Sequence, residues 1–351
     1  MYPITESIQQ NPEFWDIYTR KEEYSSQRLD QHGRFISRHS RHGDILDPIV
    51  SRYLIQEGLR VEYPDNRHFA VCLTHDVDEI YPPISHTLAS SRHCLKAGDY
   101  AGVKKQLFWR LKGKKASPYL KFKDIMDLEE TYDAKSSFYF LATDRDIRRF
   151  RYDVDDLETE VGFISDNGWE VGLHGGYYAA GDLNEIKIEK NRLERILGKR
   201  IVGYRNHYLR FVVPDSWEQL SLARFEYDTT LGYSDAIGFR NGMCHPFKPF
   251  NRNTDSELDL LELPLTVMDS TLFSTTKSQE DAWHHVKRCI DVVASYSGLL
   301  VLNWHSNSFN CPYKSFWPRM YEKVLHYCAG NKAWITDAET ITEFWKKNVL
   351  Y

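Results

Sequence analysis

Short apolar runs recur along this chain, each too short for a helix and each set off from the next by a longer amphipathic stretch. They are "FAVCLT" (69–74), "SSFYFL" (136–141), "WEVGL" (169–173), "IVGYR" (201–205), "FEYD" (225–228), "LLELPL" (260–265), "GLLVLNW" (298–304) and "AWIT" (333–336). Two intervening stretches carry helix signals. Residues 184–197 open on Asn184 and stop at Gly198, and 278–296 open on "SQED" with Trp283, Val286, Ile290 and Val293 at helical spacing. Alternation of this kind predicts a parallel α/β architecture. A chain of 351 residues, 42% of them hydrophobic, can build one large barrel or two ordinary domains. The first sixty-odd residues hold no strong strand. They read as a highly charged helical extension over 1–67, ahead of an α/β unit over 68–351.

The residues at the end of each strand are more telling than the strands themselves. The first ends in His75-Asp76-Val77-Asp78 and the third in His174. The fourth ends in Arg205-Asn206-His207, the fifth in Asp228 and the seventh in His305. A lone histidine or aspartate after a strand is ordinarily a loop residue or a helix cap. Several strands ending this way point to one rim, because parallel barrel strands all finish on the same face. Two carboxylates at i and i+2 repel unless something offsets them. A divalent cation would neutralise one, and Arg205 could hold the other ionised. Asp/His ligands suit zinc or a neighbouring transition metal. The unligated carboxylate would then be a general base, and His305 could protonate a leaving group. The set describes metal-assisted hydrolysis.

Composition removes other classes. A net charge of −5 and a pI near 6.3 argue against non-specific nucleic-acid binding. No signal peptide is visible in "MYPITESIQQNPEFWD", and no apolar run approaches a bilayer span. The six cysteines form neither a C-x-x-C nor a secreted-scaffold pattern, so the expected compartment is the cytoplasm.

In this order the residues resemble the metal-dependent polysaccharide deacetylases with NodB homology. "LTHDVD", "EVGLHGG", "GYRNHY", "LELPLTVMD" and "LNWH" stand where that family's five motifs fall, across about residues 68 to 340. The first looks like the family's Asp-x-Asp variant. The resemblance implies a distorted (β/α) barrel with Asp76 as catalytic base, and Asp78 and His174 as metal ligands. It further implies that Arg205 contacts the base, that His305 is the general acid, and that Asp269 orients it. The family usually supplies a second histidine four residues after the first, but Tyr178 stands there. His207, where the family usually has proline, is the expected replacement ligand. The rival is a weaker site of Asp78, His174 and waters. His75 is a further candidate, expected to point elsewhere.

The segment 225–250 carries three glycines and no helix signal, and reads as a loop at a barrel mouth. Asp228, Arg240 and His245 within it, with Tyr208, are candidate substrate contacts, Arg240 first because its donor fork suits a carboxylate or phosphate. Residues 100–123 carry eight Lys/Arg and no acid among aromatics. They read as a solvated helix face, or as a peripheral contact with anionic membrane or a diphosphate. "RHSRHG" (38–43) and His284-His285 imply no partner. The expected activity is removal of an N-acyl group, acetyl first, from an amino sugar in a cytosolic glycan, nucleotide-sugar or lipid-linked intermediate of surface polysaccharide synthesis, with one divalent transition metal, Zn2+ first, as cofactor. The alternatives are hydrolysis of another C–N bond, as in a cyclic amide or ureide, and a non-catalytic sugar-binding barrel.

Overall fold

The computed structural model describes residues 4–25, 28–147 and 152–350. Its strands are β1 (Phe69–Val77), β2 (Ser137–Leu141), β3 (Glu170–Gly175), β4 (Gly203–Asn206), β5 (Tyr227–Asp228), β6 (Phe250–Asn251), β7 (Ser256–Glu257), β8 (Leu261–Glu262), β9 (Leu265–Met268), β10 (Leu299–Asn303) and β11 (Ala333–Thr336). Nine of them form one curled sheet in the order β8-β5-β4-β3-β2-β1-β10-β9, with β11 also on β1. Every pairing in that sheet is parallel. β6 and β7 make a separate antiparallel hairpin that no apolar run announces.

The expected strand over 260–265 is broken by Pro264, which has no N–H for a ladder. Its first half pairs with β5 and its continuation with β10, so one stretch of chain joins the two edges of the sheet. The result is a distorted (β/α) barrel. β1 is buried along all of its length, as a central parallel strand requires.

Alternation along β1 decides what faces the site. Phe69, Val71 and Leu73 pack outward, in one core with Val286, Ile290 and Val293 of the helix Gln279–Ser295. Ala70 and Cys72 lie in the other core, and period two puts Thr74, Asp76 and Asp78 on their side. The helix Leu183–Leu197 is capped by Asp182, whose side chain accepts from the N–H groups of Asn184 and Glu185. The expected cap, Asn184, is already inside the helix.

The first sixty-odd residues contribute α1 (Ile4–Gln9), α2 (Pro12–Tyr18) and α3 (Ile49–Gln56). Ile8, Tyr18, Val50 and Leu54 are buried in the same core as the barrel strands. The Tyr18 hydroxyl donates to the Lys248 carbonyl at 2.7 Å, and the Val50 N–H to the Gly242 carbonyl at 3.0 Å.

Candidate active site

Asp76 lies near the C-terminal end of β1, with Asp78 just beyond it. His174 lies near the end of β3 and is in register with Arg205 on β4. His207 starts the 3-10 turn after β4, Asp269 comes directly after β9, and His305 lies just past β10. The barrel therefore gathers all of these groups at one end.

Asp76 is held on both oxygens. Arg205 Nη1 donates to Oδ1 at 3.0 Å and Asn303 Nδ2 to Oδ2 at 2.7 Å. Arg205 is itself buried and fixed by donation to Thr74 Oγ1 (2.7 Å) and to the Thr229 carbonyl and Oγ1 (3.0 Å each). Burial alone would push the Asp76 carboxyl up, but His174 and Arg205 outweigh it and hold it below the ordinary carboxylate range. His305 forms a second unit. Its Nδ1–H donates to Asp269 Oδ1 at 2.5 Å, and Asp269 Oδ2 accepts from the His305 backbone N–H (3.0 Å) and from Ser308 Oγ (2.7 Å). Burial opposes charge on the imidazole, yet buried Asp269 pushes His305 up to about 9. Its Nε2 faces the site, 3.7 Å from Asp78 Oδ2.

Asp78, His174 and His207 offer three ligand atoms within 4.8 Å of one another. His174 Nδ1–H donates to the Arg205 carbonyl at 2.9 Å, which turns Nε2 towards the cluster, 3.2 Å from Asp78 Oδ1. His207 Nε2 is 3.8 Å from Asp78 Oδ2, and its Nδ1 is 3.7 Å from Asp146 Oδ2. One carboxylate and two imidazoles, each ring with a polar group near its other nitrogen, fit a divalent transition metal. Tyr178, in the turn after β3, is about half exposed and outside this group.

The groups open into a pocket of about 380 Å3, lined also by Arg34, Glu79, His86, Tyr119, Tyr208 and Lys314. Tyr208 is thus where a substrate contact was expected, at a left-handed φ of 64°. Arg34, from the N-terminal segment, donates to its carbonyl at 2.8 Å. The other three expected substrate contacts are elsewhere. Arg240 is buried in an ion pair with Glu23, and His245 lies between Ser51 Oγ (2.9 Å) and the Tyr296 carbonyl (3.1 Å). Asp228 is buried beside Thr230 and Glu262, its carboxyl raised by that burial. Each is occupied by protein, and of the segment 225–250 only Ser234 reaches the pocket. His75 points to the outer side of β1, bonded to the Trp304 carbonyl and to Glu129, both at 2.7 Å. Asn303, Asp146 and Arg34 were missed. Asn303 could have been found, since it stands two residues before His305 on the same strand face.

No family model matches the sequence, and no curated protein does. Solved structures share the fold. A probable polysaccharide deacetylase from Pseudomonas aeruginosa PAO1 superposes with a TM-score of 0.56 at 13% identity, covering 83% of this chain and 95% of that one. A putative polysaccharide deacetylase from Mycobacterium smegmatis gives 0.54 at 17% identity, covering 81% and 92%. The Puue allantoinase gives 0.55 at 15% identity, covering 84% and 96%.

Proposed function

We propose that this chain is a metal-dependent hydrolase that removes an N-acyl group, acetyl first, from an amino sugar, as a member of the NodB-homology deacetylases. The observation that carries the reading is the pairing of an Arg-clamped Asp76 with an Asp269-backed His305 across the Asp78–His174–His207 cluster. Zn2+ suits that donor set, and when bound would supply Lewis acidity to water and to the acyl oxygen. Asp76, ionised and aimed by Arg205 and Asn303, takes a proton from the attacking water. As the C–N bond breaks, His305 gives its Nε2 proton to the leaving nitrogen, while Asp269 stabilises the cationic ring through Nδ1. A sugar-binding barrel without catalysis would need neither proton-handling pair.

Lys314 on the pocket wall suits an anionic linkage, which favours a phosphate-linked sugar, nucleotide or lipid, over a neutral glycan, whereas Arg34 is paired with Asp30. A pocket of about 380 Å3 admits a single sugar ring, but also a small cyclic amide, so the cyclic-amide reading is kept as the alternative. Acetate release from acetylated amino sugars, run beside ring opening of cyclic amides with the same zinc-loaded protein, tests the two. Ring opening without acetate release would overturn the deacetylase reading. Metal content tests the centre itself: His207→Ala should lose the ion and stay folded, and full occupancy in that variant would remove His207 from the ligand set.

A further inference from the structure

The helix pair after β1 presents its large apolar side chains to solvent. In the helix Ile84–Lys96 the buried positions are Thr87, Ser90, Ser91 and Cys94, all small. The exposed ones include Ile84, Leu88 and Leu95, at 64%, 53% and 58%. At 3.6 residues per turn these three fall within about 40° of one another, a single outward stripe. The next helix, Tyr100–Phe108, packs on the first and continues into a 3-10 turn, Trp109–Lys112. It repeats the outward half of the pattern. Gln106 and Trp109 are buried, while Tyr100, Leu107, Phe108 and Leu111 are exposed. Among the described residues, seven of the fifteen exposed large hydrophobics lie between 84 and 111. A concentration of that kind marks an interaction surface.

Charge decides what covers it. Residues 84–121 contain nine Lys/Arg and one acid, Asp99, in a chain whose net charge is −5; Lys114 and Lys121 are paired with Asp156 and Asp124, which leaves the balance of the patch still cationic. A second copy docked face to face would bring two strongly cationic surfaces together, which Coulomb repulsion disfavours. An anionic bilayer accepts both parts of the surface, since apolar side chains enter the headgroup–acyl boundary while Lys and Arg meet lipid phosphates. The first helix also borders the candidate active site, through the face opposite the stripe. His86, on the first helix, lines the pocket, and its Nε2 lies 2.7 Å from the Tyr119 hydroxyl on the same wall.

We propose that the helix pair 84–112 docks this protein on anionic membrane beside its pocket, and that the amino sugar it acts on is joined through phosphate to a lipid. The second clause rests on the deacetylase reading, and the first stands without it. The test is co-sedimentation of the full chain with vesicles of neutral lipid, and with vesicles holding about 30% anionic lipid, at low and moderate salt. Binding to anionic vesicles alone, weakened by salt, is expected. Leu107→Glu with Leu111→Glu should reduce it about tenfold, as should Lys104→Glu with Lys112→Glu. Acetate release from a soluble acetylated amino sugar should be unchanged in both variants. Equal, negligible sedimentation with the two vesicle types would overturn the proposal. So would a dimer that the leucine substitutions dissolve, in a protein that ignores lipid. Release of acetate by a protein that ignores vesicles defeats the docking alone, whereas vesicle binding without acetate release defeats the deacetylase reading alone.

Discussion

Asp76 and Asp78 leave the same strand on the same side, yet their surroundings give them different work. Asp76 has a guanidinium on one oxygen and an amide on the other, so its charge is fixed in place. Asp78 faces three imidazole Nε2 atoms, of His174, His207 and His305, at 3.2, 3.8 and 3.7 Å. Asp76→Asn should therefore cut turnover about 10²–10⁴-fold with the metal retained, the range for a lost general base. Asp78→Ala should instead empty the proposed metal site, read by metal analysis of the purified variant. His305 can be separated from both by choice of leaving group. An amine leaves only when protonated, whereas an activated aryl oxide leaves as the anion. His305→Ala should thus lose about 10²–10⁴-fold on an N-acetyl sugar but less than about tenfold on an aryl acetate. Equal losses on both would deny His305 the role of acid. That these residues would gather at one end of the barrel was legible, because their chemistry clusters at strand ends. Asp146 and Arg34 were not, since neither stands at a strand end and only folding brings them beside His207 and Tyr208.

Strand cores were legible at the scale of elements, because burial on both faces of a parallel sheet needs a continuous apolar run. Their ends were less so. The first run continues from 74 to 77 through His75 and Asp76, polar residues that pair within the ladder all the same. The segment 225–250 reaches the pocket only through Ser234, for a physical reason. It folds inward, and its polar side chains meet partners distant in sequence. His245 is the clearest case, and it makes a prediction. Burial holds its imidazole down, from 6.5 to about 4, so the folded protein keeps it neutral where the unfolded chain binds a proton. The unfolded state takes up more protons between those two values, so stability is present above ~6.5 and is lost as pH falls towards ~4. The full loss is on the order of 3 kcal/mol, at about 1.4 kcal/mol per unit. Denaturant unfolding at pH 7 and at pH 4.5 would measure it. His245→Gln should flatten that acid limb even where it lowers stability at neutral pH, and an unchanged limb would exonerate His245.

For the molecule as a whole, the question is whether residues 1–67, an extension by sequence, unfold apart from 68–351. We propose that they unfold together. Glu23, after α2, sits between two buried guanidiniums: Arg20 Nε at 2.6 Å from the same segment, and Arg240 Nε at 3.0 Å from the barrel. Burial would raise the Glu23 carboxyl, but Arg240 and Arg20 hold it below its ordinary value. The pairing spans 217 positions, which is why Arg240 read as a substrate contact when only its neighbours in sequence could be weighed. Taking away one partner of a buried ion pair costs about 3–5 kcal/mol, because the remaining charge is left without compensation. Glu23→Gln should fall in that range. Ile8, Tyr18, Val50 and Leu54 share the barrel's core, so the two parts should also melt in one transition. Calorimetry of the full chain decides it: a single peak that moves as a unit in Glu23→Gln is expected. Two peaks, with only the smaller one displaced, would make the N-terminal segment a domain of its own.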